Sequence, residues 1–433
     1  MVIENIQELE SIVSGQKVIC YAVPASDKFH PKLTSTIALY LNVGTKPYIV
    51  PIDHPEASNL DKTDILYVLN RAPEGIYVPD KKEFLYHFPV GKAKDLRLGS
   101  DKFTEYRGSN KYHTWMYGKF GDDPEVNKMF ALVKLFEYVK ELNTWTVEAL
   151  SGFEPKKDFE FYNDIAAPVF FLAEQQGLRV EYQPFIDLFK PNNPDYNIRN
   201  NITYTYYNLY NITSRPTNAF NSVNFAAIPK KEEHRKCFLP QNDLFVEFDF
   251  DGYHLRLIAN EVDYELTSES AHTQLAKEYL NKTELTKEEY EYAKQVNFQA
   301  IYGNVPKEFE SFKFFDLIKR YINGLWITYE EQGYVNAPIS NKRFDDSLEE
   351  MHPKKLFNYV MQSLETSRNI LILKEVLNYL QDKKTKVALY TYDSILFDFS
   401  LEDGKQVLVD LENILSEADT YPVKFKYSKN LVL

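Results

Sequence analysis

Cysteine is scarce in this chain, with only Cys20 and Cys237 among 433 residues. Two thiols cannot staple a disulfide scaffold or complete a zinc site by themselves, so a reducing compartment and a cytoplasmic location are expected. Long apolar runs are lacking too. No stretch of about 18 apolar residues occurs, so neither a spanning helix nor a membrane partner is expected. The opening MVIENIQELESIV carries acids and no basic segment, so no secretory leader is expected. An excess of positive charge is also missing. Lys and Arg number 50 against 63 Asp and Glu, a net charge of -13. By bulk charge this is a poor nucleic-acid binder, although an acidic protein can hold one basic cleft. What is present is material for a core. Hydrophobic residues make up 44% and charged residues 26%, which excludes wholesale disorder. The length suits two or three domains. The 32 Tyr and 30 Phe are read first as core packing and codon bias.

Along the chain, Lys17–Ala22 and Thr36–Leu41 read as strands, and Tyr48–Ile52 continues the pattern. Asp64–Leu69 and Gly75–Val78 read as further short strands. Asp80–His87 and Pro124–Asn143 read as helices. Strands with interleaved helices give a small α/β domain of about 150 residues. A periodic helix follows at about 161–177, closed by Gly177. Residues 184–201, rich in Pro and Asn, read as a loop. Then come a strand at Phe245–Phe250, a helix at Tyr253–Asn260, and long helices at about 287–302 and 353–380. A hairpin joins Lys386–Tyr392 to Ser394–Phe399. A helix at about 402–416 and a strand near Val423–Tyr427 close the chain.

Three features carry chemistry. Asp249 ends an apolar strand, LFVEFDF, where a carboxylate beside main-chain carbonyls suits magnesium. Asp393 sits at the tip of the hairpin VALYTYDSILFDF. Two acids on adjacent strand ends can hold two metals for an in-line phosphoryl displacement. An isolated Asp at such a tip is ordinarily turn chemistry. The helix between them changes the reading. Lys294, Phe298 and Tyr302 fall at i, i+4 and i+8, on one face, with Gly303 following. A cation and two aromatics on one stripe suit a triphosphate, a sugar and a base. An isolated amphipathic helix would ordinarily turn those aromatics to a core.

The constellation resembles the family A DNA polymerases, the group of bacterial DNA polymerase I and many phage replicases. The run from Asp249 to Ala259 resembles motif A. Lys294-x3-Phe298-x3-Tyr302-Gly303 resembles motif B, and Tyr392-Asp393-Ser394 stands where motif C has His-Asp-Glu. Further matches follow in order: Thr213-Ser-Arg215, Ile228-Pro229, Arg235 to Phe238, His272-Thr273, Gly333-Tyr334-Val335, Asn341-Lys-Arg343, Asn358-x3-Gln362 and Lys429-Asn430-Leu431. The resemblance covers about 160–433.

It implies an α+β fold, a right-hand palm and fingers with a vestigial thumb. The domains would be 1–150, a degenerate exonuclease-like (ribonuclease H-like) α/β domain; 151–201, a connecting helix and reduced thumb; and 202–433, palm and fingers. Asp249 and Asp393, with the Phe250 carbonyl, would ligate two Mg²⁺ ions about 4 Å apart, with Mn²⁺ as a substitute. Lys294 would hold the triphosphate and His272 would be a second phosphate contact. Phe298 would pack by the sugar and Tyr302 by the templating base, with His254 at the sugar gate. Arg215, Asn358 and Gln362 would touch minor-groove acceptors that every base pair presents. The implied partners are primer-template DNA, dNTPs, and a processivity factor or other replisome protein.

The sequence departs from the family pattern. Tyr290 stands where an Arg usually contacts phosphate. His254 replaces the Glu that excludes a ribose 2′-hydroxyl. Ser394 and Tyr392 replace the Glu and His of motif C. The stretch from Gly177 to Arg215 is too short for a full thumb. At the N-terminus, Thr36–His54 resembles exonuclease strands, but Tyr21 and Val23 stand where that nuclease needs Asp and Glu, and Glu83 is the one surviving acid. No proofreading is therefore expected. The alternatives are a ribonucleotide-tolerant primase-polymerase or RNA polymerase-like enzyme, favoured by His254 and Ser394, and a non-catalytic DNA-binding subunit.

Overall fold

The structure, a computed structural model, describes residues 1–25, 29–100, 146–191, 194, 197–218, 223–302, 304–346, 350–417 and 419–433. The expected helix at Pro124–Asn143 and the position of Gly303 lie outside the described residues. The chain forms two compact units, one of residues 1–211 and 217–225, the other of residues 212–216 and 226–433.

The first unit is built on β1 (Val18–Pro24), β2 (Thr36–Val43), β3 (Lys46–Pro51), β4 (Ile76–Val78) and β5 (Lys94–Asp95). Their order is β3-β2-β1-β4-β5. β1, β2 and β3 form an antiparallel meander, while β4 runs parallel to β1, and β5 parallel to β4. Every residue of β1 and β2 is buried, because the sheet is covered on both faces, and their sequences read accordingly as nearly unbroken apolar runs. Helices α1 (Ile6–Val13), α2 (Lys62–Asn70) and α3 (Lys81–His87) contribute Leu9, Val13, Ile65, Leu69 and Phe84 to this core.

Two expectations fail here. Asp64–Leu69 is not a strand but lies inside α2. Asp61 caps that helix, its carboxylate accepting from the Thr63 N–H, and Ile65, Val68 and Leu69 are buried at helical spacing. Residues 184–201 are not all loop, since a helix spans Tyr182–Phe189 and a short strand spans Ile198–Arg199.

The second unit holds an antiparallel sheet of β6 (Leu244–Phe250), β9 (Lys386–Thr391), β10 (Ser394–Phe399) and β11 (Val423–Ser428), in the order β9-β10-β6-β11. Its longer helices are α4 (Tyr253–Glu261), α5 (Ala271–Leu280), α6 (Lys287–Ile301), α7 (Lys313–Gln332), α8 (Pro353–Tyr379) and α9 (Gln406–Ser416). A small hairpin, β7 (Tyr334–Asn336) and β8 (Arg343–Asp345), follows α7. Along β6, Phe248 and Phe250 are buried while Glu247 and Asp249 are half-buried, the period of two that turns alternate side chains to opposite faces. Phe248 packs edge-on against Phe397 with ring centroids 5.8 Å apart. The acids are thereby left on the other face.

Candidate active site

β6 is flanked by β10 and β11, and the register puts Asp249 opposite both Ser394 and Lys424. The Phe250 N–H donates to the Asp393 carbonyl at 3.0 Å, which fixes the hairpin tip beside the end of β6. The tip is strained: Tyr392 has φ of 57°, in the left-handed region that an aromatic residue avoids. Two contacts hold it there. The Asn369 amide donates to the Tyr392 carbonyl at 2.6 Å, and the Arg215 guanidinium lies 4.0 Å from the centre of the Tyr392 ring. The strained turn sets where Asp393 emerges.

Asp249 and Asp393 both sit where ionisation is costly. Burial, then the neighbouring Asp393 charge, pushes the Asp249 carboxyl up to about 6. Burial, then the Glu365 charge, raises Asp393 as well. Asp251, two residues beyond Asp249, behaves differently. Burial would raise it, but an ion pair with Lys424 outweighs burial and holds it below the usual carboxylate range.

Gly252 turns the chain from β6 into α4. Its φ is 56°, and an added Cβ would stand 2.8 Å from the Ala271 Cβ, so α5 packs against a position that only glycine suits. Arg256 then ties the segment together, donating to the carbonyls of Asp251, Thr267 and Glu269 at 3.0, 2.9 and 2.7 Å.

Helix α6 forms the facing wall. It opens on a capping box of Thr286 and Glu289. Ala293, Val296, Asn297, Ala300 and Ile301 are buried, whereas Phe298 and Tyr302 are 45% and 46% exposed. The aromatics therefore face the cleft rather than the core. Tyr302 is the cap residue after the last turn. The His272 ring lies 5.5 Å from the Phe298 ring, and the Asn297 amide lies 3.1 Å from its Nδ1. An amide nitrogen only donates, so Nδ1 accepts and Nε2 carries the proton. Burial, with Lys294 nearby, lowers the imidazole to about 4, so His272 is a neutral donor.

The cleft thus gathers Arg215, Asp249, Phe250, His254, His272, Lys294, Phe298, Tyr302 and Asp393 from segments remote in sequence. Asn358 and Gln362 do not line it; they are half-buried on α8. Three further participants emerge. Lys424 and Asp251 were hidden in the last strand and in motif A. Glu365, on α8, is 1% exposed and meets both Arg215 and His254. Its signal in the sequence was a carboxylate seven residues after Asn358, on the same face of a long helix. Ser394, in the motif C position, shares a hydrogen bond of 2.7 Å with Thr391 across the hairpin.

The fold defines a class, the polymerase palm and fingers. The chain resembles a particular solved structure, the POL domain of Pol1 from M. smegmatis in complex with DNA primer-template and dNTP. The TM-score is 0.67, with 12% sequence identity, over 100% of this chain and 98% of that one. At that identity the likeness is one of fold. No protein-family model matches the sequence, and no curated protein matches it.

Proposed function

We propose that this protein is a template-directed DNA polymerase that adds deoxynucleotides to a primer 3′ end by two-metal phosphoryl transfer. One observation carries the reading: Asp249 and Asp393 stand together in a cleft whose other wall presents Lys294, Phe298 and Tyr302.

The donor set fits two Mg²⁺ ions, with Mn²⁺ as a substitute. Asp249 and Asp393 are partly buried and repel each other, a conflict that bound cations would relieve. No group of three or more His, Cys, Asp or Glu side chains suited to a metal occurs among the described residues. Two carboxylates suffice for Mg²⁺ when substrate phosphates and water complete the shell. The Phe250 carbonyl would be the further protein ligand. When bound, the metals would lower the pKa of the primer 3′-hydroxyl and neutralise the leaving pyrophosphate.

The chain's own residues do the rest. Lys294 supplies a positive charge for the triphosphate, where Tyr290 has replaced a charge. His272 donates one hydrogen bond from Nε2 without adding charge. Phe298 and Tyr302 offer exposed ring faces for the sugar and the base pair. Arg215 stands near the strained tip that carries Asp393, where a primer terminus must lie for in-line attack. Asn358 and Gln362 await duplex farther along α8. The domains are read as 1–150 exonuclease-like, 151–201 connecting, and 202–433 palm and fingers. Primer-template DNA and dNTPs are the partners, with a processivity factor or other replisome protein supplying added grip.

The N-terminal unit is read as lacking proofreading. The reading rests on Tyr21 and Val23 standing where the nuclease acids belong; of the other acids in the unit, Glu174 pairs with Lys82 at 2.6 Å and Asp164 with Lys81 at 3.3 Å.

Primer extension with Mg²⁺ and dNTPs tests the reading. Extension by the parent is expected, while Asp249→Ala and Asp393→Ala each lose at least a thousandfold with an unchanged melting curve. Substantial residual extension by either variant breaks the two-metal assignment. A parent that extends better with rNTPs moves the product from DNA to RNA.

A further inference from the structure

Glu365 is a buried carboxylate beside the Arg215 guanidinium and the His254 ring, with no direct part in the proposed chemistry. Its Oε2 lies 3.1 Å from Arg215 Nε, and its Oε1 lies 3.0 Å from His254 Nε2. Arg215 Nη2 also donates to Oε1 at 3.4 Å. Neither of the two shortest approaches has hydrogen-bond geometry, so charge rather than alignment governs the contact with Arg215. One side chain on α8 thereby meets α4, through His254, and the segment 212–216, through Arg215. Arg215 in turn covers the Tyr392 ring at the strained tip.

A buried ion pair seldom stabilises a fold more than well-packed apolar residues would. Holding two partners in place is a different matter. Arg is long and loses considerable rotamer freedom when fixed. Here it is fixed from two sides, by a carboxylate and by a ring face. His254 has a planar ring that can turn, and a carboxylate beside Nε2 favours a proton on that nitrogen and one ring orientation.

We propose that Glu365 is the positioning residue for the sugar and primer side of this cleft, holding His254 and Arg215 where they check the incoming sugar and the terminal pair. The inference rests on the polymerase reading. Glu365 touches neither nucleotide nor primer; it acts through the two residues that do. Selection is then shared between an acid on one helix and a base on another, where a single gate residue would ordinarily suffice.

The test is single-nucleotide insertion by the parent and by Glu365→Gln, His254→Ala and the double variant, with dNTP and with rNTP. Melting curves are recorded for each. Glu365→Gln keeps the volume and removes the charge. It is expected to raise KM for dNTP roughly five- to tenfold, change kcat less than threefold, and narrow dNTP over rNTP selectivity by about the same factor as KM. The double variant should be no less selective than His254→Ala alone, because Glu365 acts through His254. Glu365→Asp, which keeps the charge, should recover part of the selectivity. Parental KM and selectivity in Glu365→Gln overturn the proposal, as do additive losses in the double variant. Loss of a cooperative melt in both the Gln and Asp variants would make Glu365 a folding residue and also overturn it. A parent that extends no primer removes the polymerase reading itself, an outcome separate from all of these.

Discussion

At the scale of single residues, His254 is where the cleft departs most from its expected chemistry. A Glu at this place would exclude a 2′-hydroxyl by bulk. Under the polymerase reading His, of similar bulk, would keep that wall. Its ring, however, can carry a proton toward a substrate oxygen or accept one. The contact with Glu365 engages Nε2 and leaves Nδ1 as the other nitrogen. We expect dNTP preference, weaker than behind a carboxylate gate by about 1–2 kcal/mol, roughly tenfold or more. His254→Ala should narrow dNTP over rNTP selectivity further, measured as the ratio of kcat/KM values for single insertions. Unchanged selectivity in that variant would show that another residue forms the wall. Ser394 is a lesser departure, because its hydroxyl is engaged by Thr391 within the hairpin.

At the scale of elements, α3 concentrates buried polarity. His87 at its last turn lies 3.0 Å from the Thr36 hydroxyl, to which Lys62 also donates at 3.3 Å. His30 packs edge-on against Tyr86 of α3, and its Nε2 bonds the Thr205 carbonyl at 3.0 Å. Burial, with Lys62 near one ring and Lys82 and Lys32 near the other, lowers both imidazoles to about 3. Between that value and the ordinary 6.5, the unfolded chain binds protons that the folded chain refuses, so stability falls as pH drops through 6.5. Asp95 works the other way, since burial and Asp80 raise it from 3.8 to about 6, and the folded state then binds the extra proton. From pH 7 to 5 each histidine costs about 2 kcal/mol and Asp95 returns about 1.5 kcal/mol. Thermal melts should show the N-terminal unit losing several degrees over that range, and His87→Gln should flatten the slope. A melting temperature that does not move with pH would refute the neutral buried histidines.

The same scale shows what the sequence could reveal. The α6 stripe was legible because a helical period and an exposed aromatic face are local properties. α2 was misread because ILYV is rich in strand-forming side chains, while the deciding Asp61 cap lies just outside that run. The helix at Tyr182–Phe189 was masked by Pro184, yet a proline in the first turn removes only an N–H that has no helical partner. The cluster of Glu365, Arg215 and His254 was out of reach, because its members are up to 150 residues apart and only packing joins them.

At the scale of the whole molecule, a chain with net charge -13 has little charge to spare for the primer-template of the proposed reaction. Affinity for duplex comes mainly from cations that displace counterions, and it falls with salt in proportion to their number. Three cations line the cleft: Arg215, Lys294 and Lys424. Arg215 is already matched by Glu365, and Lys424 by Asp251. Between Gly177 and Arg215, where a helical hairpin would grip duplex, the described residues hold one α-helix, Tyr182–Phe189. Even with all three on duplex phosphates, the slope of log affinity against log salt would reach only about -2.7, roughly fortyfold weaker binding from 50 to 200 mM salt. Loss on that scale shortens residence on the primer terminus, so the isolated protein should add few nucleotides per encounter at physiological salt. Anisotropy titration of a labelled primer-template gives the slope, and extension against excess trap DNA gives the product length. A slope of -6 or steeper, or long products in the trap assay without any added partner, would place a larger basic grip elsewhere in the chain. A slope near -3 with short products leaves the missing phosphate contacts to be supplied by a second protein.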